Sequence, residues 1–315
     1  IFPVLAQRVG DLRWSPDGNS TIAYKNNQLI QTDLATGKET IMMSADQFKQ
    51  DGKAIKPAGY VYSADQSKLL VFTNTARVWR FNTRGDYWLY TKSNAQWKQV
   101  GKNRPAQTMM FAKLSPDGNK VAYVSQQNIY VEDLATGAET ALTTNGNRRL
   151  INGTFDWVYE EEFSCRDGFR WSPDSKSIAY WQVDAAGTRD FYMINNTDSI
   201  YSRPIPVEYP KVGESPSAVK IGVVNIETAQ TKWMEIPGDQ RQHYIPRMEW
   251  VPGRSELIVQ QLNRKQNESQ LFICASATGN AEPIYTEKEE AWIDILPSWD
   301  DDYNYGGWDW LAGGN

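Results

Sequence analysis

The sequence predicts an all-β fold, a β-propeller of four-stranded blades, and three observations predict it. A turn of the S-P-D-G type recurs along the 315 residues. A second, matching turn follows in most of the repeating units. Apolar spacing of helical period is nearly absent, whereas short runs alternating small and bulky residues are common.

The first turn type is read at Trp14-Ser15-Pro16-Asp17-Gly18, Leu114-Ser115-Pro116-Asp117-Gly118 and Trp171-Ser172-Pro173-Asp174. Tyr62-Ser63-Ala64-Asp65 and Trp250-Val251-Pro252-Gly253 are degenerate copies, and Trp310-Leu311-Ala312-Gly313-Gly314 begins another. Starts at 14, 62, 114, 171, 250 and 310 are 48, 52, 57, 79 and 60 residues apart. Pro fixes φ in such a turn, Asp accepts a local backbone bond, and Gly takes the left-handed conformation.

Each turn leads into an expected strand: Ile22-Ala23-Tyr24, Leu69-Leu70-Val71-Phe72, Val121-Ala122-Tyr123-Val124 and Ile178-Ala179-Tyr180-Trp181. The second hairpin is clearest in Gln31–Thr40 and Val131–Thr140, each with an Asp-Leu-Ala-Thr-Gly turn, with weaker versions at Val224–Thr231 and Cys274–Gly279. Two hairpins per unit make a four-stranded blade. A sandwich with a chance S-P-D-G does not account for five spaced copies with matching second hairpins. The count gives about five full blades and the start of another.

The 79-residue interval holds an insertion between Trp181 and Trp250. Ser202-Arg203-Pro204-Ile205-Pro206-Val207-Glu208-Tyr209-Pro210-Lys211 is too rich in proline for a central strand. Either an extended arm or a long solvated loop fits it.

Composition narrows the function classes. Thirteen Trp, sixteen Tyr and ten Phe exclude a disordered chain, and 33 basic against 38 acidic residues argue against nucleic-acid binding. No stretch is apolar for long enough to cross a membrane as a helix. No charged and then apolar leader opens the chain, so either the protein is cytosolic or a signal has been removed. Cys165 and Cys274 lack metal or redox spacing and read as apolar fillers or as a pair. His243 is the one histidine, which excludes His-cluster chemistry; no metal or cofactor is expected. Asp300-Asp301-Asp302 begins like a calcium loop, but Tyr305 and Leu311 stand where Gly and a bidentate Glu are needed. No G-x-S-x-G is present: Gly213-Glu214-Ser215-Pro216-Ser217 lacks the second Gly.

One segment breaks the blade rhythm. Phe155, Trp157, Tyr159 and Phe163 frame the run Glu160-Glu161-Glu162. On a helical turn two of the three carboxylates can face one pocket and receive an ammonium group. A solvated acidic turn over packed aromatics is the other reading.

The run D-W-V-Y-E-E-E-F, followed by Arg170-Trp171-Ser172-Pro173-Asp174, resembles the propeller domain of dipeptidyl peptidase IV enzymes in the prolyl oligopeptidase family of serine peptidases. The likeness extends through Tyr209-Pro210-Lys211-Val212-Gly213, His243-Tyr244-Ile245-Pro246-Arg247-Met248 and Gln261–Asn267, covering about Leu12 to Trp310. It implies an eight-bladed propeller of which residues 1–315 supply part, with a C-terminal α/β-hydrolase domain not in this sequence. It implies that Glu161 and Glu162 bind the substrate's N-terminal ammonium, so that Xaa-Pro or Xaa-Ala dipeptides are released. Val78-Trp79-Arg80-Phe81 is similar to a second family motif, which makes Arg80 the residue for a substrate carbonyl. The chain by itself is expected to be inactive, with no catalytic residue among its 315. The resemblance further implies a homodimer of the full-length protein through an arm at 184–219, and a periplasmic or exported location. A sibling tripeptidyl or acylaminoacyl peptidase and a non-enzymatic protein-binding propeller are the alternatives. A propeller glycosidase fits adjacent glutamates poorly, because its acid and base must stand apart.

Overall fold

The computed structural model describes residues 12–15, 17–295, 308, 310 and 311. They fall in two compact units, Ile1–Met109 and Met110–Asn315. Five antiparallel blades follow one another in chain order, four of them with four strands and the fourth with a short fifth strand, so the β-propeller blade expected from the sequence is the repeating element. Pro16, the Asp300–Asn304 run and residues 312–314 of the last repeat lie outside the described residues.

The first unit holds two blades. Arg13–Trp14, Ser20–Lys25, Gln28–Asp33 and Glu39–Met43 form the first. Gly59–Tyr62, Lys68–Val78, Phe81–Thr91 and Gln96–Val100 form the second. Its two middle strands run 11 residues each, against six in the first blade, so this hairpin extends past the sheet. Ile22, Leu29, Met43, Phe48, Leu69, Tyr90 and Trp97 share one core in this unit.

The second unit holds three. Met109–Leu114, Lys120–Ser125, Asn128–Asp133 and Glu139–Ala141 make the third blade. In the fourth, Leu150–Asn152 and Phe169–Trp171 both pair with Ser177–Asp184, which pairs with Ala218–Asn225 and then Thr231–Trp233. His243–Trp250, Glu256–Asn263, Glu268–Ala275 and Ala281–Lys288 make the fifth.

The recurrent turn is built around its serine, a part the sequence reading had given to Pro, Asp and Gly. Ser15, Ser63, Ser115 and Ser172 are buried. Each donates its hydroxyl to the Asp two residues on, at 2.5–2.6 Å. Each hydroxyl also accepts the backbone N–H five residues on, at 2.9–3.0 Å. The serine therefore clamps both sides of the hairpin, while the Asp accepts a further N–H at 3.0 Å. The fourth position is left-handed in all of them: Gly18 at φ 69° and Gly118 at 68°, but also Gln66 at 57° and Ser175 at 61°. Glycine is preferred there and not required, since the serine and aspartate hold the turn in either case.

The insertion in the fourth blade is an arm. Asp184 pairs directly with Ala218, and between them Asp190–Asn195 and Arg203–Glu208 form a two-stranded hairpin. Pro204 and Pro206 sit in that ribbon, which has no third strand to bond. Cys165 and Cys274 are buried and form no disulfide; the Cys165 thiol donates to the Pro246 carbonyl at 3.3 Å, whereas Cys274 fills an apolar position in the core. Burial pushes the Cys274 thiol up to about 12.

Candidate functional site

The acidic segment leaves the fourth blade after Asn152 and returns at Phe169. Two glycines close its neck. The N–H of Gly153 donates to the carbonyl of Trp181, that of Trp181 to Gly168, and that of Gly168 to Gly153, each at 3.0 Å. A Cβ on Gly168 would stand 2.7 Å from the Gly153 carbonyl carbon, and one on Gly153 would stand 2.8 Å from Ile129 and Val124. Only bare backbone fits where the chain exits and re-enters. The Thr154 hydroxyl adds the next rung, donating to the Arg166 carbonyl at 2.9 Å.

Inside this neck lies one helix, α1 (Trp157–Phe163). Asp156 is its N-cap, with extended backbone and a carboxylate oxygen accepting the Tyr159 N–H at 3.1 Å. Ser164 ends it in left-handed conformation at φ 56°, and the Cys165 N–H returns to the Tyr159 carbonyl at 3.0 Å. A seven-residue helix is not stable in water by itself. Its aromatic face supplies what its length cannot. Phe155, Tyr159 and Phe163 join a core with Trp181, Tyr244, Ile245 and Met248. Phe155 stacks on Tyr159 with centroids 5.5 Å apart, and Phe163 meets Tyr244 at 5.0 Å.

The bed under the helix is the H-Y-I-P-R stretch of the fifth blade. Pairing with Glu256–Asn263 is irregular between Tyr244 and Arg247. That irregularity frees backbone groups of Ile245 and Pro246 to turn toward the helix. The Ile245 N–H donates to the Tyr159 hydroxyl at 3.1 Å, and Trp181 Nε1 donates to the Ile245 carbonyl at 2.8 Å. Arg247 is buried and donates to the carbonyls of Pro246 at 2.7 Å and Phe163 at 3.2 Å. Burial raises the Tyr159 phenol well above its ordinary range, so it stays protonated and serves as a fixed post. His243, at the start of the same strand, is buried against the Val219 carbonyl (3.3 Å) and Gln261 (2.9 Å). Burial lowers its pKa and keeps it neutral. It is a structural residue.

The carboxylates lie on the rest of the helix surface. Helical rotation of about 100° per residue puts Glu161 roughly opposite the Tyr159–Phe163 face and Glu162 on its flank. Glu160 and Glu161 are half-buried and Glu162 is exposed. Glu160 also stands in the first turn, where an anion complements the helix dipole. Burial, more than the nearby Glu162 charge, raises the Tyr244 phenol above its ordinary range, against the opposing pull of Arg264, which stands over its ring at 5.6 Å. At the exit of the neck, buried Asp167 is paired with Lys113 and, at 3.3 Å, with Arg170. One of the two sequence readings of the acidic run, carboxylates over packed aromatics, describes this arrangement. The aromatics do pack beneath, and the packing is what holds the carboxylates in place. The helix thus carries Glu160, Glu161 and Glu162 off its aromatic face, where carboxylates can attract a cation.

Arg80 belongs to the first unit. It occupies the tip of the extended hairpin of the second blade, where Trp79-Arg80 turns the chain between Val78 and Phe81. Trp79 is left-handed at φ 49°, and the guanidinium of Arg77 donates to the Arg80 carbonyl at 3.2 Å. Arg80 is exposed there, on a turn and not within a strand.

The sequence reading missed Asp156, Gly153, Gly168 and Arg247 as the parts that fix the helix. Asp before an aromatic-periodic run is a readable N-cap signal. The glycines and Arg247 act through residues distant in the chain and carry no local signature. Among the described residues no group of three or more His, Cys, Asp or Glu could hold a metal ion, and no helix is long and apolar enough to cross a membrane.

The chain is similar to known proteins over most of its length. The crystal structure of Porphyromonas gingivalis dipeptidyl peptidase 4 matches with a TM-score of 0.86 at 25% identity, covering 96% of this chain and 42% of that one. Dipeptidyl peptidase 4 of Bos taurus is 29% identical over 276 residues, 84% of this chain and 35% of the relative. Inactive dipeptidyl peptidase 10 of Rattus norvegicus is 24% identical over 289 residues, 90% of this chain and 36% of that protein. The chain thus spans about a third of the length of the curated relatives it matches. The family model for the dipeptidyl peptidase IV (DPP IV) N-terminal region matches residues 63–304, a stretch that holds α1 and begins just after Gly59–Tyr62, the first strand of the second blade. On that match the chain belongs to the dipeptidyl peptidase IV N-terminal region family.

Proposed function

We propose that this chain is the substrate-gripping propeller of a serine exopeptidase that releases N-terminal Xaa-Pro or Xaa-Ala dipeptides. In this reading Glu161 and Glu162 receive the free ammonium of the peptide. Holding the amine sets the distance to the reacting carbonyl, so the bond after the second residue meets a nucleophile carried by a hydrolase domain of the same polypeptide. Arg80 donates to a carbonyl of the bound dipeptide, a role suited to a planar guanidinium. The observation that carries the reading is the short acidic helix capped at both ends and seated on buried aromatics. A rigid anionic pair selects a charged amine over a neutral one, because each charge-assisted bond contributes about 1.5–3 kcal/mol.

The test is steady-state cleavage of a chromogenic Gly-Pro amide by the full-length polypeptide. Glu161→Gln and Glu162→Gln should each lower kcat/KM by roughly 10- to 100-fold. N-acetylated substrate should be cut poorly by the parent, and the two variants should narrow that preference. Unchanged dipeptide release in both variants would overturn the assignment and favour a sibling peptidase that places the amine elsewhere. A second reading, a non-enzymatic protein-binding propeller, is favoured by the inactive rat relative. A full-length polypeptide without any turnover of Xaa-Pro substrates would support it.

We also infer that the full-length protein pairs as a homodimer through the 184–219 arm. Phe191, Tyr192, Ile194, Ile200 and Tyr201 on that arm are exposed, Ile200 almost completely at 98%. Apolar groups of that size gathered on one hairpin support a protein contact. Replacing Ile194 and Tyr201 together by Ser should turn a dimer into a monomer in sedimentation; a monomeric parent refutes the pairing. An exported location goes with this reading on the family likeness alone, and cell fractionation checks it.

A further inference from the structure

Two segments far apart in sequence meet at the start of the helix. The carboxylate of Asp156 is buried, and its two oxygens have different partners. One accepts the Tyr159 N–H at 3.1 Å, inside the helix. The other accepts the Ser217 hydroxyl at 2.6 Å. Ser217 is 2% exposed and ends the chain's return from the arm. Its oxygen also lies 3.4 Å from the hydroxyl of Thr188, on the outgoing side of the arm. Both roots of the arm therefore converge on the cap of the helix.

A second link runs through rings. Trp157, the first residue of the helix, meets Tyr209 with centroids 4.2 Å apart, and Tyr209 meets Phe191 at 5.7 Å. Phe191 is in the outgoing strand of the arm, and the Tyr209 N–H continues the hairpin by donating to the Arg189 carbonyl at 3.2 Å. The base of that hairpin is held by charge. Asp190 and Glu208 stand directly opposite each other, a repulsive pair unless neutralised. Arg148 pairs with both carboxylates, and Arg149 pairs with Asp190 at 2.8 Å.

We propose that Tyr209 and Ser217, at the root of the arm, are positioning residues for Glu161 and Glu162, acting through Trp157 and Asp156. A seven-residue helix takes its orientation from the groups that pin it. Two of its pins, one polar and one aromatic, come from the arm and not from the blade. Whatever shifts the arm root moves the two carboxylates with it. Misplacement of a binding group by a fraction of an ångström to 1 Å is costly when the substrate is located by that group. This inference rests on the reading of Glu161 and Glu162 as the ammonium grip.

The experiment measures kinetics and local exchange in the full-length polypeptide. Ser217→Ala should raise KM for a Gly-Pro amide roughly three- to tenfold, with kcat within about twofold of the parent, as for a lost cap contact. Amide hydrogen exchange over 157–163 should quicken in the same variant while the blade strands keep their protection. Ser217→Thr retains the hydroxyl and should restore both readouts. Tyr209→Ala, which leaves the Asp156 bond intact, should raise KM in the same direction and guards against a folding failure of the first variant. Parental KM and parental exchange in both Ser217→Ala and Tyr209→Ala would overturn the proposal. Glu161→Gln and Glu162→Gln without effect, beside faster helix exchange in Ser217→Ala, would instead discard the ammonium grip and keep the link from arm to helix.

Discussion

The serine of the repeated turn shows how much one hydroxyl can carry. It donates to an aspartate and accepts a strand N–H while buried, so its removal strands both partners. Ser172→Ala is expected to cost about 1–2 kcal/mol, read as a shift in the urea midpoint. Serine hydroxyls are the main reason the carboxyls of Asp17, Asp65 and Asp174 lie below their ordinary value of 3.8. A lowered carboxylate contributes stability that is present above 3.8 and is lost as the pH falls toward the folded value. Thermal stability should therefore drop below about pH 4. In Ser172→Ala that acid slope should be shallower, since Asp174 then titrates nearer its unfolded value. An unchanged slope would mean that other carboxylates govern acid unfolding.

Among the elements, the acidic helix depends most on its surroundings. Seven residues, one cap at each end and an aromatic face make a fixed platform only because the glycine neck brings the chain back beside Trp181. Gly168→Ala drives a methyl group against the Gly153 backbone at 2.7 Å, whereas Gly18→Ala meets nothing within 4 Å and bears only the strain of φ 69°. The neck variant is expected to lose about 2–3 kcal/mol and the turn variant about 1 kcal/mol, measured by chemical denaturation. Equal losses would argue that the neck is looser than its geometry indicates. The acidic run was legible in the sequence as a break in the blade rhythm. Its N-cap signal stands beside it in Asp156, although the sequence reading passed over it. The bed of Ile245, Pro246 and Arg247 was not, because a strand irregularity more than 80 residues away leaves no mark beside the helix.

For the molecule as a whole, family membership and the catalytic question separate. The family match covers residues 63–304, while no G-x-S-x-G occurs in the 315 residues. The 315-residue chain is therefore expected to leave a Gly-Pro amide uncut even at micromolar protein, and turnover that survives contaminant controls would refute this. The blade repeat was legible because each hairpin is closed by its own residues: Ser15 bonds Asp17 and Ser20, and Asp33 bonds Thr36. The arm was legible as a widened interval rich in proline, and a loop could have filled the same interval. Only the tertiary structure decided that it is a hairpin, with Asp184 pairing to Ala218 at its base. Likewise, the sequence alone placed Glu161 and Glu162 beside aromatics, and it could go no further. Local bonds within about five residues are written into the chain. The orientation of a short helix is set by Ser217, Tyr209 and Ile245, which lie 40 or more residues away and reach it only once the blades have formed.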